Sequence, residues 1–282
     1  MEQANAASAR PSRSPAPSPG FIRCAVIDVG TNSVKLLVAD VSGRRVEPLV
    51  ERSEQTRLGR GFYESRRLQP AAIRHTARVV AAYAAEARDL GAAATRVIAT
   101  SAARDAVNPD ELVICLERES GLPVEIISGA QEADWVFRGV VSDPVFAGQP
   151  LLIVDVGGGS TEFILGEGEQ QQFRHSFPLG TVRLLERSPH ADPPTATDGE
   201  RCRALIDDFL EQQVRPVIES ELRAFSTRAV QLVGTGGTTS IMARIELGSV
   251  KFDRDQIEAL RLTRTQVRLQ RERLWSLPLA ER

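Results

Sequence analysis

The sequence has few cysteines, histidines and lysines, and each shortage argues against a class of site. Its three cysteines, Cys24, Cys115 and Cys202, form no CxxC pair, and an odd number does not suggest a disulfide framework. They are typical of small buried side chains in a reducing compartment. The three histidines lack the spacing of metal-binding motifs. Almost all of the 35 basic residues are arginines, which we attribute mainly to genomic composition, although arginine also suits phosphate binding.

The chain also lacks a long apolar run and a strong net charge. No stretch approaches the ~20 apolar residues needed to span a bilayer. Residues 1–20 are rich in Ala, Ser, Pro and Arg without an apolar core, so they predict a disordered tail rather than a signal peptide. The net charge of −2 gives no overall basic footprint of a nucleic-acid binder, although a local basic groove remains possible. We therefore expect a cytoplasmic protein whose partners include neither nucleic acid nor a membrane.

What the sequence does contain is a repeated pattern of strands and helices. Its 282 residues are 42% hydrophobic and 26% charged, enough for one large or two medium domains of a globular protein. Strands alternate with helices, which predicts an α/β protein with domains at 21–140 and 141–282. Each block opens with an apolar strand, a tight turn that begins with aspartate, a second strand, and a further turn and strand. We interpret this as an internal architectural repeat.

Three turns rich in Gly, Thr and Ser follow predicted strands, at 28–33, 155–161 and 234–239. Such turns let the backbone approach a phosphate closely and offer N–H groups and hydroxyls as donors. An aspartate at a strand end repels phosphate, but it can hold Mg²⁺, usually through water. Two such loops on opposite domains would clamp one phosphate chain from both sides. Neither a Walker A sequence nor a Rossmann glycine motif is present.

The two aspartate turns resemble the phosphate-binding motifs of the exopolyphosphatase/guanosine pentaphosphate phosphohydrolase family, which belongs to the sugar kinase–actin–Hsp70 superfamily. The similarity extends to segments 99–106, 127–133, 178–180 and 234–238, and it covers about residues 25–280. The resemblance implies an α/β protein with two ribonuclease-H-like (actin-like ATPase) domains and an interdomain active-site cleft. It also implies Mg²⁺-dependent hydrolysis of a terminal phosphoanhydride.

The resemblance implies a role for each matched position. Glu132 matches the proposed general base, and its plain alternative is a solvated carboxylate at a helix start. Arg104 matches an arginine that contacts phosphate oxygens, and Glu162 matches a second acid near metal and water, or an orienting residue. Asp28 and Asp155 match the acids that hold the metal. The matched phosphate ligands are Gly30, Thr31, Asn32, Ser33, Gly157, Gly158, Gly159, Ser160, Thr161, Gly236, Gly237 and Thr238.

The physical chemistry agrees with these roles. Phosphoryl transfer depends on positioning and charge neutralisation more than on covalent chemistry. A carboxylate near an anionic substrate has a raised pKa, which suits it to accept a proton near neutral pH. No Cys or Ser lies beside a His in a nucleophile motif, so we expect no covalent intermediate.

The chain also departs from the family pattern. The segments that normally follow Leu277–Pro278–Leu279 are absent, as are the helical C-terminal domains of long members, so the chain resembles a short form that is truncated in its second domain. We therefore expect apolar faces at 230–245 to lie partly uncovered, with a loss of stability of about 25 cal/mol per Å². A partner or a homodimer would cover them.

The favoured substrate is inorganic polyphosphate, whose terminal phosphate would be released as orthophosphate. Guanosine pentaphosphate (pppGpp) remains the alternative, because the choice rests on the missing extra domains and thus on analogy. A kinase of the same superfamily would need an acceptor site and an aspartate base, and no extra acceptor-binding segment is evident. A catalytically silent sensor of phosphate chains is a third reading, which the retention of Glu132, Arg104 and both aspartates disfavours.

Overall fold

The computed structural model describes residues 17–225 and 229–282, so the predicted tail lies mostly outside the described residues. The elements up to residue 141 are β1 (Ile22–Val29), β2 (Val34–Ser42), β3 (Arg45–Glu54), α1 (Pro70–Asp89), β4 (Ala94–Ala99), α2 (Ser101–Asp105), α3 (Pro109–Ser120), β5 (Val124–Ile126) and α4 (Gly129–Val141). The later elements are β6 (Pro150–Val156), β7 (Thr161–Glu167), β8 (Gln170–Phe177), α5 (Thr181–Arg187), α6 (Ala196–Phe209), α7 (Arg215–Phe225), β9 (Gln231–Thr235), α8 (Gly236–Leu247), α9 (Arg254–Ala259) and α10 (Arg264–Ser276).

The first sheet is built around β1, which pairs antiparallel with β2 and parallel with β4, in the order β3-β2-β1-β4-β5. Residues of β1 alternate between buried and accessible, as expected for a pleated strand, and Ile27 and Val29 are fully buried. Helix α1 packs against β1, β2 and α3. The sequence predicts a helix that Pro70 opens and Gly91 closes, and in the structure Pro70 is its first residue and Gly91, at φ +83°, follows its C-cap residue, Leu90.

The second sheet repeats this plan around β6. Strand β6 pairs antiparallel with β7 and parallel with β9, in the order β8-β7-β6-β9. In both sheets a central strand therefore has its hairpin partner on one side and a parallel strand on the other. This arrangement confirms the predicted α/β fold with two related actin-like halves.

Helix α4 packs with the second sheet, although it precedes that sheet in the chain. Its buried side chains, Ala133 and Phe137, contact Leu151, Ile153 and Ile164 in one apolar cluster. Gly166 on β7 lies against the Phe137 ring, where a Cβ would clash. By packing alone, α4 belongs to the second half of the molecule. The division at residue 140 stays a prediction.

Helix α6 begins at a different capping box from the one that its sequence favours. The spacing of Thr197 and Glu200 predicts a box at that pair, but the structure forms it at Thr195 and Asp198. Asp198 accepts hydrogen bonds from the backbone N–H and the hydroxyl of Thr195, at 2.9 and 2.7 Å. Both pairs have the required spacing, and the buried position of Asp198 favours the earlier one.

The third glycine turn is also different from the prediction, which has a loop at 234–239 and a helix from Ser240. Helix α8 begins at Gly236 instead, so the turn supplies the first residues of the helix. Gly236 has φ +87°, which lets the chain turn directly from β9 into α8. The hydroxyls of Thr239 and Ser240 donate to the Gly236 carbonyl at 2.9 and 3.0 Å, a pattern compatible with a helix.

The expected exposure of apolar residues between 230 and 245 is found. Leu232 on β9 is 67% exposed and Ile241 on α8 is 53% exposed. Strand β9 lies at the edge of its sheet within the described residues. The homodimer stays a prediction. No helix in the described parts of the chain is long and apolar enough to cross a bilayer.

Candidate active site

The two aspartate turns have the same backbone geometry. Gly30 N–H donates to the Ser33 carbonyl, and Gly157 N–H donates to the Ser160 carbonyl, each at 3.0 Å. A Cβ on Gly30 would lie 3.1 Å from the Ser33 carbonyl oxygen, and one on Gly157 would lie 3.0 Å from that of Ser160. Both turns therefore need glycine at the same place, and the predicted repeat extends to the detail of the site.

Neighbouring segments bind the carbonyl groups of both turns. The amides of Arg57 and Gly59 donate to the carbonyls of residues 32 and 31, at 2.8 Å each. Likewise, the amides of Thr181 and Val182 donate to those of residues 157 and 158, at 3.0 and 2.8 Å. The amides of 31–33 and 158–160 have no protein acceptor within the described residues. They are thus available to an anion, as in other nests of backbone N–H groups.

The two turns lie against each other across the cleft. A Cβ on Gly158 would lie 3.1 Å from the Thr31 Cβ and 3.4 Å from the Asn32 amide nitrogen. A Cβ on Gly159 would lie 2.5 Å from both the Ser101 and Tyr63 hydroxyl oxygens and 2.7 Å from the Thr31 hydroxyl. The structure therefore brings the first two predicted phosphate loops together, with the second one close to four residues of the first half.

Not every predicted phosphate ligand has a free donor group. The Thr161 hydroxyl donates to the Leu179 carbonyl, and the Thr238 hydroxyl donates to the Val156 carbonyl at 3.3 Å. Gly236 lies against a carboxylate oxygen of Asp155, while Gly237 faces open space. The roles of these residues in phosphate binding stay predictions.

Two aspartates occupy the strand ends beside the turns. Asp28 is paired with Lys35 across the β1–β2 ladder, and Asp155 lies beside Thr235 on β9. Burial raises the pKa of both carboxyls, and the charge of Lys35 opposes the rise in each. The charge of Asp155 raises the pKa of Asp28 further. One carboxylate oxygen of Asp28 is buried with no hydrogen-bond partner in the described residues.

This arrangement fits a hydrated divalent cation. Two buried carboxyls that repel each other, one with an unpartnered oxygen, are stabilised by a positive ion between them. The described residues contain no cluster of three or more His, Cys, Asp or Glu side chains arranged to ligate a metal. Because Mg²⁺ keeps several waters and needs only one or two carboxylates, the donor set suits Mg²⁺ better than a dehydrated structural metal.

Glu132 and Arg104 form an ion pair between the two halves. Glu132 lies in the first turn of α4, which starts with a capping box between Ser128 and Gln131. Nη1 of Arg104 lies 3.1 Å from Oε2 of Glu132 and donates to the Ile127 carbonyl at 2.9 Å. Burial and then the charge of Glu162 raise the pKa of Glu132 to about 8, and Arg104 only partly opposes this. The result is a carboxyl that can exchange a proton near neutral pH.

Glu162 lies behind this pair and is almost fully buried. The Ser176 hydroxyl donates to its Oε1 at 2.6 Å. Burial raises the pKa of Glu162, and the bond from Ser176 opposes the rise. The sequence alone did not select Ser176, but its position opposite Glu162 in the β7–β8 ladder would have indicated it once the hairpin register was known.

A cavity of about 470 Å³ opens beside Arg104 and Ser160. Its wall includes two further basic side chains, Arg174 and His175, both from β8. The acidic residue on the wall, Asp105, forms an ion pair with Arg183, which lies on α5. The wall also carries the hydroxyls of Ser101, Ser160 and Ser176, so two guanidinium groups and three hydroxyls are placed to bind an anionic ligand.

An actin-like pair of sheets, with two amide-rich loops around a carboxylate–arginine pair, defines a phosphohydrolase of the actin-like class. The chain belongs to the Ppx/GppA phosphatase family, whose profile matches residues 37–278. Within that family it is a hydrolase that acts on phosphoanhydride bonds.

Individual relatives agree with this assignment. The chain is 39% identical over 231 residues to Exopolyphosphatase 2 of Mycobacterium tuberculosis, a match that covers 79% of this chain and 71% of the relative. It is similar in structure to the Aquifex aeolicus PPX-GPPA enzyme, with a TM-score of 0.70 and 30% identity over 93% of this chain and 83% of the other. An exopolyphosphatase from Cytophaga hutchinsonii gives a TM-score of 0.80 at 27% identity, over 92% and 82% of the two chains.

Proposed function

We propose that the protein is an exopolyphosphatase, which removes the terminal phosphate of inorganic polyphosphate and releases orthophosphate. The observation that carries the proposal is the Arg104–Glu132 pair, with its buried carboxyl at a pKa of about 8, beside the two facing amide loops. The name of the mycobacterial relative supports polyphosphate as the substrate. Arg104 and Arg174 on the wall of the adjoining cavity support a substrate that carries negative charge beyond its terminal phosphate.

In the proposed reaction, Glu132 accepts a proton from a water molecule as the oxygen of that water attacks the terminal phosphorus. The bond from this phosphorus to the bridging oxygen breaks, so the terminal group leaves as orthophosphate and the chain is one phosphate shorter. Arg104 and the unpaired amides of the two turns bind the phosphate oxygens and stabilise the charge that they carry in the transition state. Burial and the charge of Glu162 raise the pKa of Glu132 to about 8, so near neutral pH a fraction of the molecules carries the carboxylate that accepts the proton.

Asp28 and Asp155 would hold Mg²⁺, largely through water, and the ion would neutralise part of the phosphate charge. Their burial and the unpartnered oxygen of Asp28 support this assignment. The three cysteines are free, which supports a cytoplasmic location for the enzyme.

A phosphate-release assay with polyphosphate, pppGpp and ATP, each with and without Mg²⁺, tests the proposal. We expect the highest kcat/KM with polyphosphate, and only when Mg²⁺ is present. A higher kcat/KM with pppGpp would make the protein a pppGpp phosphohydrolase. Transfer of phosphate from ATP to an acceptor would indicate a kinase, and tight polyphosphate binding without any release would indicate a sensor.

A further inference from the structure

Helix α5 belongs to the second half of the chain, but its charged side chains contact the first half. Arg183 donates from Nη2 to Asp105 at 2.8 Å, and its guanidinium lies 4.2 Å from the centre of the Tyr63 ring. Its side chain is only 13% exposed. An arginine that is both stacked on an aromatic ring and paired with a carboxylate is held in one orientation.

Glu186 lies three residues further along α5 and makes a second contact with the same region. Its two carboxylate oxygens accept hydrogen bonds from the backbone amides of Gly61 and Tyr63, at 2.6 and 2.9 Å. Residues three apart share one face of a helix. One face of α5 therefore carries a cation and an anion, each with its partner on the first half.

Arg183, unlike Glu186, also forms a hydrogen bond with the second phosphate loop. Its Nε donates to the Gly159 carbonyl at 3.0 Å. This carbonyl shares a peptide unit with the Ser160 amide, and in a planar trans peptide the C=O and N–H groups point in opposite directions. A fixed Gly159 carbonyl therefore also fixes the direction of the Ser160 N–H, one of the unpaired donors of the second phosphate loop. Ser160 itself lines the cavity beside Arg104.

We infer that Arg183 is a positioning residue that directs the Ser160 amide at the substrate phosphate, and that it does so only while α5 is docked on the first half. Asp105 and Tyr63 hold the guanidinium in place, so this side chain links one contact between the halves to the direction of the Ser160 N–H. The inference rests on the proposed phosphatase function of this site.

Arg183→Gln, Arg183→Lys and Glu186→Gln test this inference in the full chain. Glu186→Gln is the matched variant, because it weakens the same interface without a bond to the loop. Arg138→Gln controls for the loss of a cation, since Arg138 forms an exposed ion pair with Asp134 on α4. Each variant is assayed for kcat and KM with polyphosphate, for thermal unfolding, and for the separation of the halves by small-angle X-ray scattering.

We expect Arg183→Gln to lower kcat by about 10–100-fold, because a misdirected donor costs somewhat less than the ~100–1,000-fold loss caused by removal of one. Glu186→Gln should separate the halves to a similar extent but change mainly KM, and Arg138→Gln should change neither constant. Lysine cannot bond the Gly159 carbonyl and Asp105 together, so Arg183→Lys should fall between Arg183→Gln and the wild type.

Equal kcat values for Arg183→Gln and Glu186→Gln would overturn the inference and leave Arg183 with a structural role only. If Arg183→Gln does not fold, Arg183→Lys decides: a kcat equal to that of the wild type overturns the inference, and a kcat reduced by about fivefold or more supports it. A wild-type protein that releases no phosphate from any of the three substrates would instead refute the proposed function.

Discussion

Asp155 and Glu162 lie directly opposite each other on β6 and β7. Burial raises the pKa of Glu162, the hydrogen bond from Ser176 opposes this, and the charge of Asp155 adds to the rise. Two opposed carboxylates at the end of a hairpin are destabilising unless one is protonated or a cation is bound. The strand register therefore brings two carboxyls together that a bound cation would stabilise, beside the loops proposed to bind the phosphate chain.

We expect Asp155→Asn to raise the Mg²⁺ concentration needed for half-maximal activity by about tenfold or more, because a neutral amide is a weaker ligand for a hard cation. A binding readout is independent of turnover: Mg²⁺ should raise the melting temperature of the wild type but not that of Asp155→Asn. Asp208→Asn on the exposed face of α6 is the control and should match the wild type. Full activity of the wild type in excess chelator would refute a metal requirement.

Glu132→Gln should reduce phosphate release by about 100-fold or more, because the amide keeps the size of the side chain but cannot accept the proton. Polyphosphate binding should be largely retained, since Arg104 and the loop amides remain. The control is Glu125→Gln, which removes an exposed carboxylate that pairs with Arg96 on the surface. Near-normal turnover of a pure Glu132→Gln preparation would exclude Glu132 as the base.

The same substitution should increase stability in a pH-dependent way. Glu132 has a pKa of about 8 in the folded protein, against 4.5 in the unfolded chain. Below pH 4.5 both states are protonated, and between these values only the unfolded state releases the proton, so the wild type loses stability as the pH rises to about 8. Glutamine has no such loss. Melting temperatures of both proteins are measured from pH 4 to 9. The melting temperature of Glu132→Gln should exceed that of the wild type by an amount that grows as the pH rises from 4.5 to about 8. A difference that does not change with pH would contradict a raised pKa.

Gly159→Ala should weaken the close contact between the halves, because the hydroxyls that it meets must shift. Its Cβ would lie 2.5 Å from the Ser101 and Tyr63 hydroxyl oxygens, well inside van der Waals contact. We expect the free energy of unfolding to fall by about 1–3 kcal/mol and the rate of phosphate release to fall as well. Gly139→Ala is the matched control, because that glycine lies in α4 with open space at its Cβ position, and alanine favours the helix there. Similar melting temperatures for the two variants would contradict the expected loss of stability, because the loops would then have accommodated the added Cβ at position 159.

Local signals in the sequence were enough to find the two aspartate turns. A glycine after an apolar strand and an aspartate indicates a tight turn without any knowledge of the rest of the fold, and the structure places the two turns against each other across the cleft. The repeated order of apolar strand, aspartate turn and second strand also indicated two related units, and the structure has one sheet in each.

Contacts between distant segments could not be predicted in this way. Arg183 contacts Asp105 and Tyr63, which lie 78 and 120 positions earlier in the chain, and no local pattern marks an exposed-looking arginine on a short helix as an interface residue. The choice between Thr195 and Thr197 as the start of α6 failed for a related reason. Both have an acid three residues later, and only tertiary burial of Asp198 distinguishes them.

The packing of α4 places the two members of the Arg104–Glu132 pair on different halves of the molecule. Glu132 lies on α4, which is buried against the second sheet, whereas Arg104 lies on α2, which contacts β4 of the first sheet. A hinge motion that opens the cleft would therefore separate the two side chains and break the contact between them. In such an open state the protein would hold both reactive groups but no functioning centre. The rate of turnover would then depend on the angle between the sheets, because the cleft would have to close and restore the contact between the two side chains before each reaction.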